Sequence, residues 1–112
     1  MKMNQNEKGD VIILTLEGEM VGGPAATQLT NTLHDLIEQG KRRILIDMKQ
    51  VRWMNSSGLG ILIGAVTTVR NHGGDLKLLH VSQKPMQLLK ITRLDRVFEL
   101  FESEELAIGS YA

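Results

Sequence analysis

Residues suited to chemistry converge on one short run, Met54-Asn55-Ser56-Ser57-Gly58-Leu59-Gly60. Asn55 and Ser56 both carry a side-chain oxygen that can accept an unpaired N–H at the start of a helix. Gly58 and Gly60 remove side chains where that helix would approach another backbone or a ligand. A strand leading into such a loop offers free N–H donors at a concave edge, where anions bind readily. The same residues also suit a plain turn that caps a core helix, and spacing alone does not separate the two readings.

The run does not match the patterns of nucleotide-binding, phosphate-binding or hydrolytic sites. Gly58-x-Gly60-x-x-x-Gly64 is one residue off the dinucleotide fingerprint, and Asp75 precedes its strand instead of closing one. A phosphate-binding loop of the Gly-Lys-Ser/Thr type is absent, since no lysine stands there. Ser56 lacks a GxSxG frame, and no histidine is placed by sequence to act as its base. Asp47 reads as a strand-end residue, and Glu102, Glu104 and Glu105 as solvated carboxylates. His34, His72 and His80 show no metal-ligand spacing, and cysteine is absent, so no metal site and no cofactor are expected.

Composition sets the wider bounds. The chain has 112 residues, enough for one compact domain, with 42% hydrophobic residues to build its core. Aromatics amount to 4%, so that core must come from Leu, Ile, Val, Ala and Met. Lys+Arg and Asp+Glu number 13 each, a balance that argues against nucleic acid or an anionic membrane as the main partner. Lys41-Arg42-Arg43 reads as a solvated loop entering a strand. The polar stretch from Met1 to Asp10 lacks an apolar signal core, and no stretch has the roughly 20 apolar residues that span a bilayer. A cytoplasmic protein is the expectation.

Strand and helix patterns alternate along the chain, as in an α/β domain. Val11–Leu16 reads as a strand, with residues 2–7 as an edge partner. Pro24 suits the first turn of a helix whose buried face would be Ala26, Leu29, Leu33, Leu36 and Ile37, closed by Gly40. Ile44-Leu45-Ile46 is a continuous apolar run, expected of a central strand covered on both faces. Val51–Met54 leads into the loop, and a second helix runs from Ser56 to Arg70 on Leu59, Leu62, Ile63, Val66 and Val69. Asn71-His72-Gly73-Gly74 stops it. A strand over Leu76–Val81, a helix capped by Ser82 and ending near Ile91, a strand over Val97–Phe101 and a last helix opened by Glu102, Glu104 and Glu105 complete the pattern.

The run Ile44-Leu45-Ile46-Asp47, Val51 and Met54 through Leu62 resembles the signature of STAS domains of the anti-sigma factor antagonist type. The similarity continues in Leu16-Glu17-Gly18-Glu19, Gly73-Gly74-Asp75-Leu76 and Leu94-Asp95-Arg96-Val97-Phe98. It implies a single STAS domain over residues 1–112, with a mixed, mostly parallel sheet of four to five strands and helices packed against it. It implies no enzymatic activity. Carried over by position, Ser56 is the phosphoacceptor of an anti-sigma factor that is a serine-protein kinase, and a PP2C-type phosphatase reverses the modification. The unphosphorylated form would bind the anti-sigma factor and release the sigma factor, acting as a monomer or weak dimer. The partner-binding set implied is Met20, Val21, Asn55, Ser56, Ser57, Gly58, Leu59 and Gly60.

Two positions depart from the family pattern. Asn55 stands where the motif usually has Asp, which keeps a capping acceptor and removes a charge. Met20-Val21 follow Gly18-Glu19 where polar residues are usual, and either widen a partner surface or fold inward, the preferred reading. Trp53 and Met54 are likewise expected in the core. The competing function is an unphosphorylated STAS adaptor of a lipid-transport ABC system or a stressosome, in which a hydroxyl at Ser56 serves no purpose.

Overall fold

The computed structural model describes residues 1–111. Five strands form one sheet whose spatial order follows the chain: β1 (Lys2–Lys8), β2 (Val11–Met20), β3 (Arg43–Met54), β4 (Asp75–Leu79) and β5 (Leu100–Phe101). β1 is antiparallel to β2 across the two-residue turn Gly9-Asp10, and the other three pairings are parallel. The parallel strands are joined through α1 (Pro24–Glu38), α2 (Ser56–Asn71) and α3 (Gln83–Ile91), and α4 (Glu104–Gly109) follows β5. Right-handed crossovers that always advance in the same direction put their helices on one face of the sheet. Accordingly Ile12, Leu14, Ile44, Ile46, Leu76 and Leu78 share a core with Leu29, Leu33, Leu62, Val66 and Leu89 of the three crossover helices. The opposite face holds a smaller cluster of Val11, Ile13, Leu45 and Leu79 under Ala107 and Tyr111.

Ile44, Leu45 and Ile46 alternate between these two clusters and are all fully buried, which explains the unbroken apolar run. α1 buries Ala25, Leu29, Leu33, Leu36 and Ile37, so Ala25 rather than Ala26 begins its inner face. Each fully buried leucine contributes about 1.5–3 kcal/mol through removal from water. Both long helices end in the same way. Gly40 (φ +83°) donates to the Ile37 carbonyl and Lys41 to that of Leu36, while Gly73 (φ +79°) donates to Arg70 and Gly74 to Val69. This paired pattern satisfies the last carbonyls of a helix through a left-handed glycine.

Several elements differ from expectation: β2 runs on to Met20, Ile44–Ile46 and Val51–Met54 belong to one strand, and β4 begins at Asp75 and ends at Leu79. The last strand is confined to Leu100–Phe101, because a 3₁₀ turn occupies Leu94–Arg96 and Phe98 tucks into the main core. Ser82 precedes α3 without capping it, since its hydroxyl donates to the Val51 carbonyl at 2.5 Å and ties the helix start to β3. Glu104 and Glu105 sit in the first turn of α4 as expected, while Glu102 precedes the helix; its cap is Ser103, whose Oγ accepts from Leu106 N–H at 3.3 Å.

Candidate functional site

The site lies where β2 and β3 end together. Their pairing carries two register shifts, between Thr15 and Glu17 and between Gly18 and Glu19, before Met20 meets Met54. Each shift inserts a residue into β3 and resets which side chains face the core. Val51 and Met54 are therefore both buried three positions apart, and Arg52 and Trp53 between them point outward. The expectation that Trp53 lies in the core is corrected: it is 44% exposed, whereas Met54 is 4% exposed.

Asn55 is the N-cap of α2. Its extended backbone (φ −105°, ψ −173°) turns the chain, its Oδ1 accepts from Gly58 N–H at 2.9 Å, and its carbonyl accepts from Leu59 N–H at 2.9 Å. Its own N–H donates to the Met20 carbonyl at 3.4 Å, and its Nδ2 to the Val21 carbonyl at 3.5 Å. One residue thus fastens the helix start to the end of β2. Ser56 and Ser57 occupy the first two helical positions and are exposed, and their N–H groups have no intrahelical acceptor. With the cap taken by Asn55, the Ser56 hydroxyl is free for other chemistry.

Gly58 answers a steric demand. A Cβ at that position would stand 1.9 Å from the Met20 carbonyl oxygen and 2.9 Å from Met54 Cγ. Only glycine lets the first turn of α2 rest on the end of β2. The loop between β2 and α1 closes on the same spot: Gly22 (φ +104°) lies against Ser57, whose Cβ would be 3.2 Å from a Gly22 Cβ. α1 and α2 both start at this edge, and neither has an acidic residue in its first turn. Two positive helix ends therefore face solvent around Ser56 without a compensating carboxylate.

The eight residues expected to bind a partner divide by depth. Met20 is fully buried, Leu59 is 5% exposed and Gly58 is buried, so these three shape the rim from beneath instead of presenting side chains. Ser56, Ser57 and Gly60 are exposed, Asn55 is half-buried, and Val21 is 40% exposed. Met20 and Val21 are thus split, the first turned inward and the second outward.

Elsewhere several titratable groups are paired. Asp47 lies within β3, and its Oδ1 stands 3.2 Å from His80 Nδ1 and accepts from Lys49 N–H at 3.0 Å. Lys77, invisible as a buried cation in the apolar run of β4, donates to Ser110 Oγ at 2.7 Å, pairs with Glu99 at 2.8 Å and sits 4.4 Å over the Tyr111 ring. The signal for Lys77 was its position opposite Leu76 and Leu78, legible only once α4 is known to cover that face. Lys41 and Arg43 pair with Glu7 and Asp10, and Arg42 donates to the Ile37 carbonyl. Among the described residues no group of three or more His, Cys, Asp or Glu could hold a metal ion. No helix among them is long and apolar enough to cross a membrane.

A serine is presented on the first turn of a glycine-seated helix, in a small α/β domain with helices α1–α3 on one face of its sheet. The chain belongs to the STAS domain family, which matches residues 2–107. The anti-sigma-B factor antagonist of Bacillus subtilis (strain 168) is 32% identical over 105 residues, covering 94% of this chain and 91% of the relative. The fold is also that of the Bacillus cell fate determinant SpoIIAA in its phosphorylated form, with a TM-score of 0.74 at 22% identity over 96% of this chain and 97% of that one. An anti-sigma factor antagonist from Mycobacterium paratuberculosis superposes with a TM-score of 0.82 at 18% identity, covering 98% of this chain and 92% of that one.

Proposed function

We propose that this chain is an anti-sigma factor antagonist that works by binding, and that phosphorylation of Ser56 switches it off. In its unphosphorylated form it binds an anti-sigma factor that is a serine-protein kinase and so frees a sigma factor. That kinase transfers phosphate to Ser56, the complex parts, and a PP2C-type phosphatase restores the binding form. The exchange takes place in the cytoplasm.

The observation that carries this reading is the exposed Ser56 hydroxyl at the first position of α2, left free because Asn55 makes the cap. The relation to the anti-sigma-B factor antagonist of Bacillus subtilis, at 32% identity over most of both chains, supports the choice of partner class. Val21 and Trp53, exposed beside the loop, supply apolar contact, and the bare surface at Gly60 admits a close approach. A phosphate adds roughly −1.5 to −2 charges at neutral pH. The free N–H groups and two helix ends accommodate that anion in the isolated domain. In a packed interface the same charge is stripped of water and the contact fails.

The test is incubation with ATP and each serine-kinase-type anti-sigma factor of the source genome, followed by mass spectrometry. Stoichiometric phosphate on Ser56, lost in Ser56→Ala, is the expected result. Ser56→Glu should keep the wild-type melting temperature and lose the partner. Absence of phosphate with every kinase, or partner binding by Ser56→Glu as tight as wild type, refutes the proposal.

A further inference from the structure

His34 and His72 are distant in sequence and meet on the outer surface of the helical layer. His34 lies in α1 and His72 is the C-cap of α2; both are exposed, and their ring centroids are 6.5 Å apart with the planes at 88°. His72 is held in place. Its N–H donates to the Val69 carbonyl, the Gly73-Gly74 turn fixes the backbone beyond it, and its ring Nδ1 lies 2.8 Å from the Thr68 carbonyl oxygen. A carbonyl only accepts, so in the neutral ring Nδ1 carries the proton and Nε2 keeps its lone pair. An imidazole anchored through Nδ1–H to a backbone carbonyl, with Nε2 free, is the usual state of a metal-ligating histidine.

We propose that His34 and His72 form a two-imidazole site for a divalent transition-metal ion that prefers nitrogen ligands, such as Zn²⁺, Cu²⁺ or Ni²⁺, tying α1 to the carboxyl end of α2. With metal–nitrogen bonds of about 2.0–2.1 Å, two imidazoles on a tetrahedral ion place their centroids about 5.2 Å apart. The exposed His34 ring closes the difference by side-chain rotation, with no packing to displace. Imidazole suits these ions, whereas Mg²⁺ and Ca²⁺ require oxygen ligands. No third His, Asp or Glu completes a cluster among the described residues, so water fills the remaining positions and the affinity is moderate. The site stands at the far end of α2 from Ser56, about 24 Å along a helix of 16 residues, and is independent of the phosphorylation reading.

The test uses tag-free protein, thermal unfolding with and without ZnCl₂, and electron paramagnetic resonance with CuCl₂. At a free zinc concentration tenfold above Kd, wild type should melt about 5 °C or more higher. His34→Ala and His72→Ala should each remove the shift while melting normally without metal, and His80→Ala should keep it. Bound copper should show hyperfine coupling to two imidazole nitrogens, reduced to one in either variant. An unchanged melting temperature with ZnCl₂, or a shift that survives in the double variant His34→Ala/His72→Ala, overturns the proposal. So does loss of the shift in His80→Ala.

Discussion

Two glycines in the first turns of α2 should respond to the same substitution with opposite signs. At Gly60 an added Cβ meets nothing within 4 Å. Gly60→Ala should therefore gain helix propensity, about 0.5–1 kcal/mol of stability, from the smaller conformational entropy of the unfolded chain. At Gly58 the same methyl would lie 1.9 Å from the Met20 carbonyl oxygen, 2.7 Å from its carbon and 2.9 Å from Met54 Cγ. Two of these three atoms are backbone in the final residue of β2, so no side-chain rotation relieves the clash. The helix start must lift by more than an ångström, which breaks the bond from Asn55 N–H to Met20 and strains the Asn55 cap on Gly58. Overpacking costs about 1–3 kcal/mol and loss of a cap about 1 kcal/mol, against roughly 1 kcal/mol recovered in propensity.

Gly58→Ala should accordingly lose about 1–3 kcal/mol, a fall in melting temperature of roughly 5–15 °C for a domain of this size. Urea unfolding followed by circular dichroism measures both variants on one scale. A Gly58→Ala variant within about 0.5 kcal/mol of wild type, or one that rises with Gly60→Ala, would refute the claim that glycine seats the helix on β2. Partner binding gives a second reading, because lifting the first turn also moves Ser56.

Three further outcomes follow from the same geometry. Asn55→Ala should cost about 1 kcal/mol through loss of the cap on Gly58 N–H, whereas Asn55→Asp keeps the acceptor and adds a charge favoured by the helix end, so its melting temperature should equal or exceed wild type. Trp53→Ala, at a side chain 44% exposed, should change stability by less than about 1.5 kcal/mol and weaken binding of the anti-sigma partner about tenfold or more by calorimetry, as loss of an exposed aromatic anchor does. Burial, reinforced by the charge of Asp75, pushes the Tyr111 phenol up from its ordinary value of 10.0. The native state therefore holds this proton longer than the unfolded chain does, so the contribution is complete below about pH 10 and is lost as pH rises further. Tyr111→Phe should flatten that alkaline fall in a urea titration, while losing the bond to the Ile44 carbonyl at neutral pH.

What could be read from the sequence was whatever a residue type determines locally. Gly40 and Gly73 marked helix ends because a left-handed backbone is costly for other residues, and both sit in that role, with Gly74 following Gly73 and donating to the Val69 carbonyl. Ile44-Leu45-Ile46 marked a central strand because only a strand buried on both faces has no polar position to spare. Trp53 was misread for a reason outside its own residue type: the extra residues in β3 become visible only against the register of β2. Val97–Phe101 imitated strand alternation, yet Phe98 reaches the core from a turn that α3 and the 3₁₀ segment set up. At the site, residue types singled out Asn55, Ser56 and Gly58. Which of the two possible caps does the capping was decided by how the helix start meets Met20, a contact 35 residues away in sequence.

That division of labour between Asn55 and Ser56 is what makes a reversible switch physically reasonable here. Had Ser56 been the cap, its oxygen would hold a backbone N–H, and phosphorylation would disturb the bond that starts α2. Instead Asn55 Oδ1 holds Gly58, the Asn55 carbonyl holds Leu59, and the Ser56 hydroxyl bears no structural duty. Beneath it, Gly58 rests on Met20 and Leu59 fills the core, so the platform is rigid while its outermost atom is free. A charge added at that atom changes the surface a partner meets and leaves the packing under it intact. The stability of Ser56→Glu and its affinity for the partner should therefore separate, the first unchanged and the second lost.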